Sequence, residues 1–184
     1  MNLKQILIVG ILALAMLAFI MQPLVRYMNS GNSTTDATNN PTMNKSEPEA
    51  PPGGVEPQFR KDGELTFLNS DKTETLQNID IEIVSDTKGI TQGLMYRKSM
   101  DENRGMLFLM PEMGPQSFWM KNTHIPLDII FINHNKQIVT IHKNTTPLSE
   151  KGLPSSQNAK YVLEVNGGYS DKFGVKKGDF VQWK

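Results

Sequence analysis

Short apolar segments separated by turn residues occupy the last two-thirds of the 184-residue chain, and their spacing limits the fold more than any other feature. In residues 78–85 three isoleucines alternate with Asp80 and Glu82. An alternation of period two is typical of a β-strand that buries one face. Because similar segments recur at close intervals, the sequence favours a mainly β domain.

The same pattern predicts further short strands, and turn chemistry separates them. The predicted strands cover residues 64–69, 78–85, 106–110, 117–121, 127–133, 137–143, 160–166 and 178–183. Residues 87–96 lose the alternation and predict a short helix, and one helical turn is expected within residues 167–174. Residues 111–115 contain two prolines and are expected to end a strand. Six to eight short strands with one or two short helices are typical of a compact sandwich or a rolled barrel.

The amino-terminal segment is apolar enough to enter a membrane. Residues 6–25 carry no charge, and as a helix they approach the length needed to cross a hydrocarbon core. Ala13 and Ala15 offer a small-x-small cleavage site, but the apolar run continues beyond them, so an uncleaved anchor is favoured over a removed signal. With Lys4 before the span, residues 1–27 predict a single-pass inner-membrane protein whose globular part lies in the periplasm or otherwise outside the cytoplasm.

A polar segment follows the predicted anchor. Residues 28–58 are nearly devoid of large apolar side chains and rich in Ser, Thr, Asn, Pro and Gly. Such a segment buries too little apolar surface to offset the entropy of ordering, so it is predicted to be a disordered linker. The globular domain is then expected at residues 59–184, which is long enough to form one core.

The charge balance and the missing cysteines exclude several classes of function. The 19 basic and 19 acidic residues give a formal net charge of zero, and no basic block with interleaved aromatic residues is present. Nucleic acid is therefore not an expected partner. The chain has no cysteine, which excludes disulfides, thiolate nucleophiles, Cys-ligated zinc and iron–sulfur clusters. The expected partners are the membrane and a small polar ligand or envelope component, with no cofactor and no metal in the leading interpretation.

Five segments, in their order and spacing, resemble a known family: GLMYR, GMLFLM, SFWMKNTHIPLDIIF, KYVLEV and GVKKGDFV. Over about residues 78–181 the chain is similar to domain of unknown function family 192, DUF-192. The resemblance implies a compact, mainly β domain that is often exported or tethered to a membrane, and it implies no established activity. Many members carry cysteines in the loop that matches residues 145–158, and no role is transferred from them because this chain has none.

The sequence around the bend before Pro126 places polar and aromatic side chains close together. Alternation in residues 117–121 puts Trp119 and Lys121 on one face of the predicted strand. The structural alternative is a buried ion pair between Lys121 and Asp128. The predicted ligand-binding residues are Trp119, Lys121, Asn122, His124 and Asp128, with Arg97 adding anion-binding capacity.

Catalysis has weaker support in the sequence. No serine lies in a G-x-S-x-G turn, and the three histidines have no acid partner at a recognisable spacing. Glu164 is expected to face solvent, and no second carboxylate lies at a spacing that suggests a glycosidase pair. The enzymatic alternative is an envelope hydrolase or lyase that uses Lys121 or Asp128 in proton transfer, and no catalytic residue is assigned.

Methionines offer a third interpretation. Thioether and imidazole groups suit Cu(I), but methionine also fills apolar cores, and only Met113 is placed in a loop where exposure is expected. The leading interpretation is a membrane-tethered, non-catalytic domain outside the cytoplasm that binds a small polar ligand, a peptide or an envelope component. The candidate copper ligands are Met95, Met100, Met106, Met110, Met113, Met120 and His124.

Overall fold

Nine strands and two short helices make up the part of the chain that the computed structural model describes, residue 50 and residues 54–184. The helices are α1 (Thr87–Gln92) and α2 (Tyr169–Lys172). The strands are β1 (Gly63–Leu68), β2 (Thr75–Val84), β3 (Arg104–Gly114), β4 (Ser117–Phe118), β5 (Leu127–Ile132), β6 (Ile138–His142), β7 (Leu153–Pro154), β8 (Ala159–Asn166) and β9 (Phe180–Trp183). The predicted mainly β fold with one or two short helices is therefore confirmed.

Seven of the strands form one sheet in the order β6-β5-β8-β3-β2-β1-β9, and β4 pairs with β7 in a small second sheet. All the pairings are antiparallel except that of β2 with β3. That parallel pair needs a crossover connection, which α1 and the segment after it provide. The segment between β2 and β3 is thereby laid across one face of the sheet.

The sheet curls until its two edge strands meet at one end. The N–H of Ile138 donates to the carbonyl of Asp179 at 2.8 Å, and the N–H of Val181 donates to the carbonyl of Lys136 at 2.9 Å. These bonds join the start of β6 to β9, so part of each open edge is satisfied. Of the two predicted architectures, the structure has the rolled one, a partly closed barrel.

Two apolar clusters lie on opposite sides of the sheet. The first cluster includes side chains from all seven strands, such as Phe67, Leu107 and Val181, and it therefore fills the inside of the barrel. The second includes Phe108, Ile129 and Val162 on the outer face of β3, β5 and β8, where Leu94 and Met120 from the connecting segments cover them. Strand alternation sends neighbouring residues into the two clusters in turn. Because β5 is buried on both faces, its sequence is nearly continuously apolar.

The predicted helix over residues 87–96 is too long. The Asp86 side chain accepts a hydrogen bond from the N–H of Gly89 at 2.9 Å and caps the helix. The helix ends at Gln92 because Gly93 has a φ of 48°, which favours glycine and turns the chain out of the helix. The remaining predicted helical residues form the turn that carries Arg97.

Two strand boundaries near the prolines were also wrong. β3 continues through Pro111 to Gly114, where the ladder to β8 is irregular between Leu109 and Gly114. A proline lacks the N–H that a regular ladder needs, so it is accommodated at such an irregularity. The strand predicted at residues 117–121 keeps only Ser117–Phe118.

The predicted anchor, residues 1–27, and most of the predicted linker, residues 28–58, lie outside the described residues. Among the described residues, no helix has the length and apolar character that crossing a bilayer requires. Contacts to the domain begin slightly before its predicted start. The Glu56 side chain accepts hydrogen bonds from the N–H groups of Lys98 and Ser99 at 2.8 and 3.3 Å.

Candidate functional site

The segment with Trp119 and Lys121 is held on the outer face of the sheet by its backbone. β4 pairs with β7, and beyond it the N–H of Met120 donates to the carbonyl of Ser149 at 2.9 Å. The N–H of Leu148 donates to the carbonyl of Thr123 at 3.1 Å. Met120 is buried between the segment and the second apolar cluster, at 1% exposure. Its neighbours on either side therefore point away from the core.

Trp119 and Lys121 share one surface, as the alternation predicted. Trp119 is 43% exposed, which is high for so large an aromatic side chain. The Nζ atom of Lys121 lies 5.4 Å from the centre of the indole ring and 3.8 Å from Oε1 of Glu150. His124 is also exposed, three positions after Lys121. We call this region the Trp119 surface, formed by Trp119, Lys121, Asn122, His124 and Glu150.

Asn122 is fixed in place by the segment that follows α1. Its φ of 54° lies in the left-handed region, which asparagine tolerates better than most residues. Its carbonyl accepts from the N–H of Tyr96 at 2.8 Å, and its Nδ2 donates to the Tyr96 hydroxyl at 3.0 Å. The asparagine thus fixes the bend beside Lys121, and part of its hydrogen-bonding capacity is used in doing so.

Asp128 does not belong to the Trp119 surface, and its prediction as a ligand-binding residue is wrong. The side chain is 0% exposed, and its oxygens accept from the N–H groups of Asn144, Gly168 and Ser170 at 2.7, 2.9 and 2.7 Å. The structural alternative from the sequence, an ion pair between Lys121 and Asp128, does not form within the described part of the chain. The physical reason is strand alternation, because Leu127 and Ile129 pack in the cluster under Met120, so Asp128 points to the other face.

Arg97 is also buried, so its predicted anion-binding role at the surface is wrong. It is 5% exposed, and its guanidinium pairs with Oε2 of Glu82 at 2.5 Å. The other oxygen of Glu82 accepts from the N–H of Arg60 at 2.8 Å. A buried ion pair of this kind fastens the segment after α1 onto β2, since separating the two charges would leave each uncompensated.

Glu164 was expected to face solvent, and this prediction is wrong as well. Glu164 and Glu82 flank Met106 across β3 on one face of the sheet, and Glu164 is 5% exposed. Burial raises the pKa of the Glu164 carboxyl to about 8, and the positive charge of Arg97 opposes this rise. Among the described residues, neither Oε2 of Glu164 nor Nε of Arg97 has a hydrogen-bond partner. The cluster of Glu82, Arg97 and Glu164 is therefore a buried set of ionisable groups that carries a cost of desolvation.

Neither Glu82 nor Glu150 was singled out from the sequence. Glu82 alternates with three isoleucines, which indicates an exposed residue unless another segment covers the second face. For Glu164 the available signal was the run VLEV, in which all the other residues are apolar. It indicates a strand buried on both faces, and such a strand also buries a charged residue within it. Glu150 lies in a polar loop whose path over Lys121 depends on long-range backbone bonds, so no local pattern indicates it.

The methionines are mostly packing residues. Met95, Met106 and Met120 are 3%, 4% and 1% exposed, and the Thr145 hydroxyl donates to the Met120 sulfur at 3.0 Å. Only Met113 is strongly exposed among the six, at 47%. Within residues 54–184 no group of three or more His, Cys, Asp or Glu side chains is arranged to hold a metal ion.

A concave surface lies elsewhere, on the outer side of β9, β1 and β2. Its volume is about 680 Å³, within the range of ligand pockets. It contains none of the residues that the sequence analysis selected. Its lining residues are Glu64, Thr66, Asn78, Ile79, Asp80, Asn103, Gln182, Trp183 and Lys184.

Comparisons with known proteins agree with the fold. A candidate transcription regulator from Sinorhizobium meliloti 1021 has a crystal structure with a TM-score of 0.64 and 35% identity, covering 69% of this chain and 98% of its own. A protein of unknown function from Novosphingobium aromaticivorans DSM 12444 has a TM-score of 0.62 and 33% identity, covering 65% of this chain and 84% of its own. No curated protein matches the sequence. Residues 68–183 match the family DUF192, described as Uncharacterized ACR, and the chain therefore belongs to this family, whose function is not established.

Proposed function

We propose that this chain is a non-catalytic binding domain that takes a small polar ligand at the Trp119 surface, outside the cytoplasm. Residues 1–27 would anchor it in the inner membrane, and residues 28–58 would hold it clear of the bilayer. The observation that carries the proposal is the exposure of Trp119 beside a lysine. An exposed indole next to a cation and a carboxylate offers an apolar face and charged groups to one ligand.

The composition of the surface indicates the class of ligand. The indole face suits a sugar ring or another flat apolar face, while Lys121 suits a carboxylate. The contact between Lys121 and Glu150 is partly solvent-exposed, with side chains 22% and 65% exposed, so a ligand carboxylate can compete for the lysine. A compound that joins a sugar ring to a carboxylate satisfies both groups. Muramyl peptides of the bacterial envelope have this chemistry, and we propose them as the ligand class.

We expect a soluble muramyl peptide to bind the full-length chain, with both groups contributing. Trp119→Ala should weaken binding about three- to tenfold through the lost ring contact. Lys121→Met should weaken it about tenfold or more, because a charge-assisted hydrogen bond is lost. Isothermal titration calorimetry on the purified chain measures both effects.

The matched control is Trp183→Phe, which changes the other tryptophan of the chain and should leave the affinity unchanged. A wild-type chain that fails to bind the muramyl peptide would exclude this ligand class. Binding that is equal in the wild type and in both surface variants would exclude the Trp119 surface as its site.

The proposed location is tested separately from the ligand. In spheroplasts of a bacterial host that produces the full-length chain with a carboxy-terminal tag, added protease should remove the tag without cell lysis. The chain should remain in the membrane fraction after a high-salt wash, because an apolar span of this length resists extraction. A tag that is digested only after lysis would place the domain in the cytoplasm and contradict the proposal.

The two other interpretations gain less support from the geometry. An enzyme that uses Asp128 in proton transfer requires an accessible carboxylate. The Asp128 carboxylate is instead fully buried and accepts hydrogen bonds from three backbone N–H groups. A Cu(I) site would require methionine sulfurs that converge near solvent. Met95, Met106 and Met120 are instead buried in the apolar core.

A further inference from the structure

The concave surface on β9, β1 and β2 contains a row of uncharged polar side chains that crosses all three strands. Thr66 on β1 pairs with Asn78 on β2 and with Gln182 on β9, and all three residues line the surface. Their strand neighbours Leu65 and Val181 pack inside the barrel, so the row faces outward. We call Gln182, Thr66 and Asn78 the amide row.

The amide row has hydrogen-bonding groups that the described part of the chain leaves unused. The Thr66 hydroxyl donates to Oδ1 of Asn78 at 2.7 Å, so the threonine oxygen can still accept and Nδ2 of Asn78 can still donate. Gln182 is exposed, and its side-chain amide has no partner among the described residues. The row therefore presents donors and acceptors side by side within the concave surface.

A second row on the same face is charged, and its charges are compensated. Glu64 lies opposite Asp80, two strand positions or about 7 Å from the amide row. The Nζ atom of Lys61 lies 2.9 Å from the Glu64 carboxylate and 2.8 Å from that of Asp80, and Nζ of Lys184 lies 3.5 Å from Glu64. The two lysine side chains balance the two carboxylates, so this row favours an uncharged ligand.

The backbone beneath the two rows is not available to a ligand. β1 is paired with β2 on one side and with β9 on the other, so a ligand on this face is held by side chains alone. An extended peptide binds a sheet by adding a strand at an open edge, with pockets for its side chains. None of the strongly exposed apolar residues, such as Met113 and Trp119, lines the surface. The face therefore suits a ligand covered with hydroxyl groups better than a peptide.

We propose that the concave surface on β9, β1 and β2 binds a neutral oligosaccharide. Each sugar hydroxyl both donates and accepts a hydrogen bond, as the side chains of the amide row do together. The volume of about 680 Å³ is within the range of ligand pockets. A muramyl peptide would bring its carboxylate against Glu64 and Asp80, so it is not the ligand of this surface. The site shares no residue with the Trp119 surface, and binding here is independent of binding there.

The test is a titration of the ¹⁵N-labelled full-length chain with three neutral trisaccharides, maltotriose, cellotriose and chitotriose. Concentrations up to about 10 mM detect binding with a Kd of about 1 mM. We expect at least one of them to move the side-chain NH2 signals of Asn78 and Gln182 and to leave that of Asn122, on the Trp119 surface, in place. If none of the three moves the Asn78 and Gln182 signals, the proposal is overturned.

Two variants locate the contacts. Gln182→Ala and Asn78→Ala should each weaken binding about three- to tenfold, because each removes a hydrogen bond to the ligand. The matched control is Asn135→Ala, which removes an exposed amide in the turn between β5 and β6 and should leave the affinity unchanged. Equal affinity in all three variants would overturn the site. A trialanine peptide with blocked ends is the other probe, and Asn78 and Gln182 signals that it moves while no saccharide does would replace the sugar by a peptide.

Discussion

Asp128→Ala is expected to lower the free energy of unfolding by about 3 to 6 kcal/mol, because one buried and two partly buried backbone N–H groups lose their charged acceptor at once. The carboxylate of Asp128 joins the segments that carry Asn144, Gly168 and Ser170 at one end of the barrel. Each orphaned buried donor costs about 1 to 3 kcal/mol. Urea denaturation followed by circular dichroism measures the loss.

The control for this change is Asp171→Ala. The Asp171 carboxylate is 71% exposed and pairs with Lys143, and surface pairs of this kind contribute little, so the change should cost less than about 1 kcal/mol. The loss for Asp128→Asn should fall between the two. The asparagine amide keeps one acceptor oxygen, but its NH2 group faces a backbone N–H, which is also a donor. A loss below about 1 kcal/mol for Asp128→Ala would show that the carboxylate has no structural role.

The stability of the domain is expected to fall as the pH rises from about 5 to 8, because of Glu164. Burial raises the pKa of this carboxyl from 4.5 to about 8 in the folded chain. Between those values the folded state keeps the proton that the unfolded state has already released, so folding is linked to proton uptake and weakens with rising pH. The slope from one such group is at most about 1.4 kcal/mol per pH unit. Above the folded-state pKa the effect levels off.

The matched control is Glu164→Gln, which keeps the shape of the side chain and removes its titration. Urea denaturation of both chains at pH 5, 6.5 and 8 gives the difference in unfolding free energy. As the pH rises from 5 to 8, the stability of Glu164→Gln relative to the wild type should increase by a few kcal/mol. A difference that is independent of pH, or one that shifts in favour of the wild type as the pH rises, would contradict the assigned burial.

The alternation in residues 78–85 and the apolar run of β5 were sufficient to predict most of the sheet. Both patterns follow from local chemistry, since side chains on successive strand positions point to opposite faces. The turn at Lys136 and the short α2 were also predicted. The path of β3 through Pro111 was not, because a tolerated proline depends on the irregular pairing with β8, which is a long-range feature.

The candidate site was predicted only in part, because the local sequence does not show which faces of the strands other segments cover. Trp119 and Lys121 lie together as the alternation indicated. Asp128 was grouped with them because it follows the bend at Pro126, and Arg97 because its guanidinium offered anion-binding capacity. The segments around Leu94 and Met120 cover the outer face of the sheet, so strand residues that were expected at the surface there are buried. Glu164 was misjudged for the same reason. Sequence alternation gives the two faces of a strand but does not tell which of them another segment covers.

The two tryptophans provide the most direct test of ligand binding at the Trp119 surface, because Trp183 lines the separate concave surface on β9, β1 and β2. Each indole N–H gives its own signal in a ¹⁵N-labelled full-length chain, and Trp183→Phe assigns them. On titration with a soluble muramyl peptide, we expect the signal of Trp119 to move in proportion to occupancy while that of Trp183 stays in place. Movement of the Trp183 signal alone, or of neither signal, would contradict the proposed site.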